Sequence, residues 1–128
     1  MNTVFRALCA VSLTIAVPSI VIAQSNPAFD GTYAGVSNDA TGAGASCHPF
    51  EAKPQPLTIA NGHARLTAGS YASGLVVFEG DVSPQGNFKM WDMFAHNLIG
   101  TLDPSGKATG SVSIGDTGCV ISGVWQRQ

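Results

Sequence analysis

Charge is scarce in this chain. Only 11% of its 128 residues are Asp, Glu, Lys or Arg, and the formal net charge is −2. The few basic residues form no stripe, so the electrostatic footprint of a nucleic-acid binder is missing. The acids are scattered and build no anionic tail. No Asn-X-Ser/Thr acceptor occurs, which accords with a bacterial export route. No Cys-x-x-Cys pair occurs, which removes the usual zinc-ribbon and thiol-redox spacings. Gly-x-Ser-x-Gly is absent as well, and with it the nucleophile elbow of the α/β-hydrolases. After residue 24 no stretch repeats its apolar residues with a helical period.

What is present begins with a long apolar run. Arg6 is followed by apolar sequence from Ala7 to Ile22, closing on Val21-Ile22-Ala23. This is the layout of a secretory signal peptide over residues 1–23, here expected to be a cleaved signal helix. An uncleaved anchor is the competing reading, because the run approaches the length that spans a bilayer. Pro18 and the polar chain from Gln24 favour cleavage. Cys9 precedes the apolar run and follows a bulky Leu8, a poor context for lipidation. Residues 24–128 then form a single domain of about 105 residues, with 5 basic and 8 acidic side chains. No membrane contact is expected after cleavage, and the destination is the periplasm or the extracellular space.

The chain has three cysteines, and Cys9 leaves with the signal. Cys47 and Cys119 remain. In an oxidising compartment they are expected to form a disulfide. A metal site built from Cys47, His48 and a second histidine is the sharper alternative, but the spacing does not support it.

The rest of the domain is rich in Val, Ile, Thr, Phe and Gly, the residues of strands and turns. Alternation and punctuation predict about eight strands. They run near Phe29–Asn38, Pro56–Ala60, His63–Ala68, Gly74–Ser83, Asn87–Phe94, Leu98–Asp103, Lys107–Ile114 and Cys119–Arg127. Gln24–Ala28 reads as a flexible lead-in. Asn61-Gly62 suits a tight type I′ turn. Ser83-Pro84-Gln85-Gly86 and Asp103-Pro104-Ser105-Gly106 form a weak repeat, with Pro presetting φ at the first corner and Gly accepting a positive φ. These turns alternate with longer connections. Laid out up and down, they fall at one end, and Cys47 and Cys119 fall together at the other. The fold class expected is therefore all-β: antiparallel strands closed, or nearly closed, into a small barrel that hides its edges.

Alternation assigns an inner face. It holds Gly31, Tyr33 and Gly35; Val76, Phe78, Gly80 and Val82; Phe88, Met90 and Phe94; Leu98, Gly100 and Leu102; Ala108, Gly110, Val112 and Ile114; and Ile121, Gly123 and Trp125. So much inward glycine favours a packed interior over a roomy one. Asp92 falls on the same face, where it must be solvated at the mouth, hydrogen-bonded within, or moved by a bulge. Trp91 and Met93 then point outward and form a candidate interface. Glu79 and Asp81 share the outer face, where polar residues are ordinary.

The loop-rich rim collects the candidate binding residues His48, Phe50, Tyr71, His96 and Asp116. Binding loops are commonly displayed at one end of a rigid scaffold. Gly42-Ala43-Gly44-Ala45 could act as a lid tethered by Cys47. His63 lies at the opposite end, so the three histidines cannot share one site. No catalytic set, cofactor site or metal site is assigned.

The opening Phe29-Asp30-Gly31-Thr32-Tyr33, the tight hairpins and the closing strand resemble small exported bacterial β-proteins of unknown function. The architecture also looks like that of avidin and lipocalin barrels. Those carry a Gly-x-Trp early in strand one, where this chain has Gly31-Thr32-Tyr33. Arg127, near Trp125, is placed like their closing-strand arginine. The resemblance implies a barrel and no particular ligand. The expected function is a binding or interaction module, monomeric or dimeric, with a protein or small-molecule partner. An inhibitor that plugs a secreted protease or lysozyme with its first loop is the second reading, and a small metal-dependent enzyme the third.

Overall fold

Three short turns set the frame. Val82 N–H donates to the Gly62 carbonyl at 2.8 Å, Leu102 N–H to Gly86 at 2.7 Å and Arg127 N–H to Gly106 at 2.8 Å. Each turn therefore holds the end of a neighbouring strand. The two repeat turns are built alike. Asn87 N–H donates to the Ser83 hydroxyl and Lys107 N–H to the Asp103 carboxylate. Gly86 and Gly106 adopt φ of 89° and 88°, which a side chain would strain. The Ser105 hydroxyl and the Lys107 N–H hold the Asp103 carboxyl below its ordinary pKa.

The computed structural model describes residues 16–18, 25–44, 47–49, 53–71, 74–115 and 118–128. The expected signal peptide thus lies almost wholly outside the described residues. A 3-10 turn at Pro27–Phe29 leads into eight strands: β1 Gly31–Thr41, β2 Leu57–Ala60, β3 His63–Tyr71, β4 Gly74–Val82, β5 Asn87–Trp91, β6 Asn97–Leu102, β7 Lys107–Ile114 and β8 Cys119–Arg127. Every neighbouring pair is antiparallel, and β8 returns to β1, so the sheet is a closed barrel. Trp125, Tyr33, Leu57 and Met90 are fully buried at its centre.

Inward glycine brings the strands close. A methyl group on Gly80 would run into the Lys89 carbonyl, and one on Gly100 into the Thr109 carbonyl and the Phe88 ring. The Phe88 ring occupies the space that β6 and β7 leave by carrying Gly100 and Gly110 side by side.

Four expectations need correction. Phe29 is not in β1, and Gln24–Ala28 is not a loose lead-in throughout. Asn26 caps the 3-10 turn, its carboxamide oxygen accepting from Ala28 N–H, and also donates to the Pro84 carbonyl at 3.1 Å. The turn drops Phe29 into the base of the barrel, where it is buried. Second, β1 runs beyond Asn38 to Thr41, paired with β8 to its end, and a bulge between Gly35 and Ser37 shifts its register on the way. Third, β5 stops at Trp91, so Phe94 is not core; it is 48% exposed. Fourth, the interior is not packed throughout, as described below.

The base is sealed by polar contacts. The Tyr33 hydroxyl donates to the Phe29 carbonyl at 2.8 Å. The Arg127 guanidinium donates to Ala28 at 2.6 Å and stacks over the Tyr33 ring at 5.6 Å. Burial raises the Tyr33 pKa above 10.0, against the opposing pull of the Arg127 charge. The folded state therefore holds this proton more tightly than the unfolded chain. Its stabilising effect is complete below about pH 10 and is lost as pH rises toward the folded value. Urea midpoints should fall above pH 10 more steeply in the wild type than in Tyr33→Phe. Parallel slopes would show that Tyr33 carries no such linkage.

Candidate functional site

The open end is built differently, because β2 is too short to reach it. β1 pairs with β2 only through Gly31, Thr32 and Tyr33, and Tyr33 meets Leu57 at the last position. Beyond that point β1 keeps β8 on one side, and among the described residues no strand pairs with its other side. The long connection before Leu57 comes down against this gap. Gly35 makes room for it: a methyl there would collide with the Pro54 carbonyl. Trp125, buried on β8, donates its indole N–H to the Gln55 carbonyl at 2.8 Å. Farther along the connection, Cys47 is bonded to Cys119 at the start of β8, with Cα atoms 5.6 Å apart. The strap is thus fixed at two places, once covalently and once by a partly buried hydrogen bond.

Beneath the strap lies a cavity of about 90 Å³. Leu66, Phe78, Leu98, Val112, Ile121 and Trp125 contribute its apolar wall. This corrects the expectation of a filled interior. Large side chains and the Phe29 plug pack the lower half, while Ala68 and Val76 leave space in the upper half, and the Trp125 ring lies over Gly123.

Polar groups gather near the mouth. Asp92 ends β5, and its side chain is only 2% exposed. Its Oδ1 accepts from Phe94 N–H at 2.9 Å and His96 N–H at 2.8 Å. Its Oδ2 meets His96 Nδ1 at 2.7 Å. One carboxylate therefore folds the whole β5–β6 connection and orients a histidine ring. This settles the position of Asp92: it is inside and hydrogen-bonded. It also explains why β5 ends early, since Asp92 draws the next N–H groups away from a strand ladder. Asp92, His96, Asn38, Gln55 and Lys53 all border the cavity. Among the described residues, no carboxylate pairs with Lys53.

The expected rim is only partly assembled. His96 lies on the cavity. His48 is exposed beside it in sequence terms only, its Nδ1 3.2 Å from the Pro49 carbonyl, while Pro49 itself borders the cavity. Phe50 and Asp116 lie outside the described residues, as does Ala45 of the expected lid. Tyr71 closes β3 opposite Gly74, and its side chain lies outside the described residues. His63 is at the opposite end, paired in register with Asp81. Among the described residues, no three His, Cys, Asp or Glu side chains converge as a metal would need.

Lys53 and Pro54 were not singled out by the sequence reading, although Pro54-Gln55-Pro56 signals a stiff, extended segment. Trp91 and Met93 do face outward, at 44% and 75% exposure. Phe94 and Ile99 are exposed on the same β5–β6 hairpin, and the Lys89 ammonium lies 5.2 Å from the Trp91 ring centre.

No family model, curated protein or solved structure matches this chain. No helix among the described residues is long and apolar enough to cross a membrane.

Proposed function

We propose that this protein is an exported binding module that takes a small, largely apolar molecule into the open end of its barrel. The cavity under the disulfide-bound strap is the observation that carries this reading. A concave, mostly apolar site with a few placed polar groups is the usual form of a small-molecule site. Export draws on the signal-like residues 1–23 and on the disulfide, which persists in oxidising compartments. The Tyr33–Arg127 stack at the sealed base supports the likeness to lipocalin-type barrels.

A test follows from the chain having only two tryptophans. In a Trp91→Phe variant, emission reports Trp125 alone, on the cavity wall. Titration with toluene should change that emission saturably and raise Tm with concentration, as a ligand specific to the folded state does. Ala68→Phe, which fills the upper cavity without adding a tryptophan, should abolish both responses. An unchanged Tm and emission across a panel of small aromatic and aliphatic molecules would overturn the reading.

A second reading rests on Trp91, Met93, Phe94 and Ile99, an exposed apolar patch that fits a protein partner or a dimer. The hydrolase-inhibitor reading draws less support, because the first connection is drawn down against the barrel at Cys47 and Gln55.

A further inference from the structure

The cavity is apolar on most sides, so the groups that break its uniformity decide what it prefers. We propose that the Asp92–His96 pair presents a hydrogen-bond acceptor to the cavity ligand, and so selects a small apolar molecule bearing one hydroxyl donor, of the phenol class. The proposal rests on the small-molecule reading above and adds the ligand's polar group to it.

Proton positions on three atoms decide the polarity of the pair. Asp92 Oδ1 accepts two backbone N–H groups, so the side chain already serves as an acceptor. A carboxylate only accepts. His96 Nδ1, 2.7 Å from Oδ2, must therefore carry the proton. In the neutral ring, Nε2 is then left with a lone pair and no hydrogen. No protein donor among the described residues reaches Nε2. Asp92 is almost wholly buried, so the ring cannot turn freely without losing this contact.

The other polar groups at the mouth offer something else. The Gln55 carbonyl already accepts the Trp125 indole N–H. Lys53 has only donors. Asn38, Gln55 and Ser122 also bring oxygens to the cavity, but among the described residues His96 is the lining group whose ring is fixed by a buried carboxylate, while Lys53 would favour an anion. The enclosed volume of about 90 Å³ is smaller than the ~150 Å³ cavity that holds benzene. A six-membered ring would therefore extend toward the mouth, where His96 stands.

The test compares four probes on the whole protein by titration calorimetry: phenol, toluene, anisole and benzoate. Phenol is expected to bind roughly 3- to 10-fold more tightly than toluene, the range of one net hydrogen bond. His96→Leu should remove the lead of phenol over toluene, read as the ratio of the two affinities within the same variant. Asp92→Asn supplies the readout that mere packing would not move. Its amide donates to Nδ1, which shifts the ring proton to Nε2 and converts the acceptor into a donor. Anisole should then gain on toluene and close the gap to phenol, since both oxygens can accept from Nε2–H. Imidazole ¹⁵N shifts read the tautomer directly, with Nε2 unprotonated in the wild type and protonated in Asp92→Asn.

Equal affinities for phenol and toluene would overturn the proposal and leave the cavity reading standing. Benzoate binding more tightly than phenol would overturn it in favour of Lys53. Binding of none of the four would overturn both.

Discussion

Replacing Cys47 and Cys119 together with alanine should lower stability by about 4 kcal/mol, given the 72-residue separation that the disulfide closes. For a domain of this size that corresponds to a fall in Tm on the order of 15–30 °C. The expectation comes mainly from the unfolded chain, which gains freedom when the covalent link is removed. The folded barrel loses less, because β1 and β8 remain paired along eight register positions. The connection above β2 should respond more than the barrel. Without the bond it is held mainly by the Trp125–Gln55 hydrogen bond, so limited proteolysis should cut within residues 42–56 well before the strands. A loss below about 1 kcal/mol, with an unchanged cleavage pattern, would show that the disulfide constrains neither state.

The pairing of these cysteines was legible in the sequence from their number once Cys9 is set aside, and topology supports it independently. Three tight turns with strong local chemistry fix which connections are short. Asn61-Gly62, Pro84-Gln85-Gly86 and Pro104-Ser105-Gly106 each carry residues whose backbone preferences match the turn they make. Strand order in a meander follows from them, and so does the meeting of Cys47 and Cys119 at one rim. The inner face was legible for a similar reason. Alternation is a local property, and it holds for Val76, Phe78 and Val82 and for Phe88 and Met90, all buried.

Alternation is silent on a bulge and misleads where a strand ends early. Nothing in Gly35-Val36-Ser37 announces the bulge, since its signature is a register shift against β8. Phe94 has the right parity and the right character for the core, yet it sits after a carboxylate that ends the strand. Asp92 itself was the warning, because an acid on an apolar face must find donors. It finds them in the backbone just ahead of it, and that hydrogen bonding is what displaces Phe94.

The site was less legible than the fold. The cavity depends on how far β2 falls short of the rim and on where Pro54 and Gln55 come to rest. Both are long-range outcomes, with Gln55 and Trp125 70 residues apart. His96 could be placed on the rim from topology, but its orientation could not, because that comes from Asp92 Oδ2. The candidate site is thus assembled by three elements that are not adjacent in sequence: the strap, the β5–β6 connection and the middle of β8.

Trp125 joins these elements, so truncating it should have the other large effect. Its side chain is buried in the centre of the barrel, forms part of the cavity wall and holds the strap through Gln55. Trp125→Ala should cost about 3–5 kcal/mol, the range for removing a large aromatic from a core. Trp125→Phe keeps most of the apolar volume and removes the indole donor, so its cost should be nearer 1 kcal/mol. The alanine variant also enlarges the cavity, and an apolar void of sufficient size stays dry and accepts a matching molecule. Indole should therefore raise the Tm of Trp125→Ala by several degrees more than it raises that of the wild type, since only the variant has lost the indole ring that fills this space. The pair of results separates two roles. A large loss in alanine with rescue by indole means that Trp125 acts by filling the barrel. An equally large loss in phenylalanine, without rescue, would mean that its bond to Gln55 dominates and that the strap, more than the core, sets the stability of the open end.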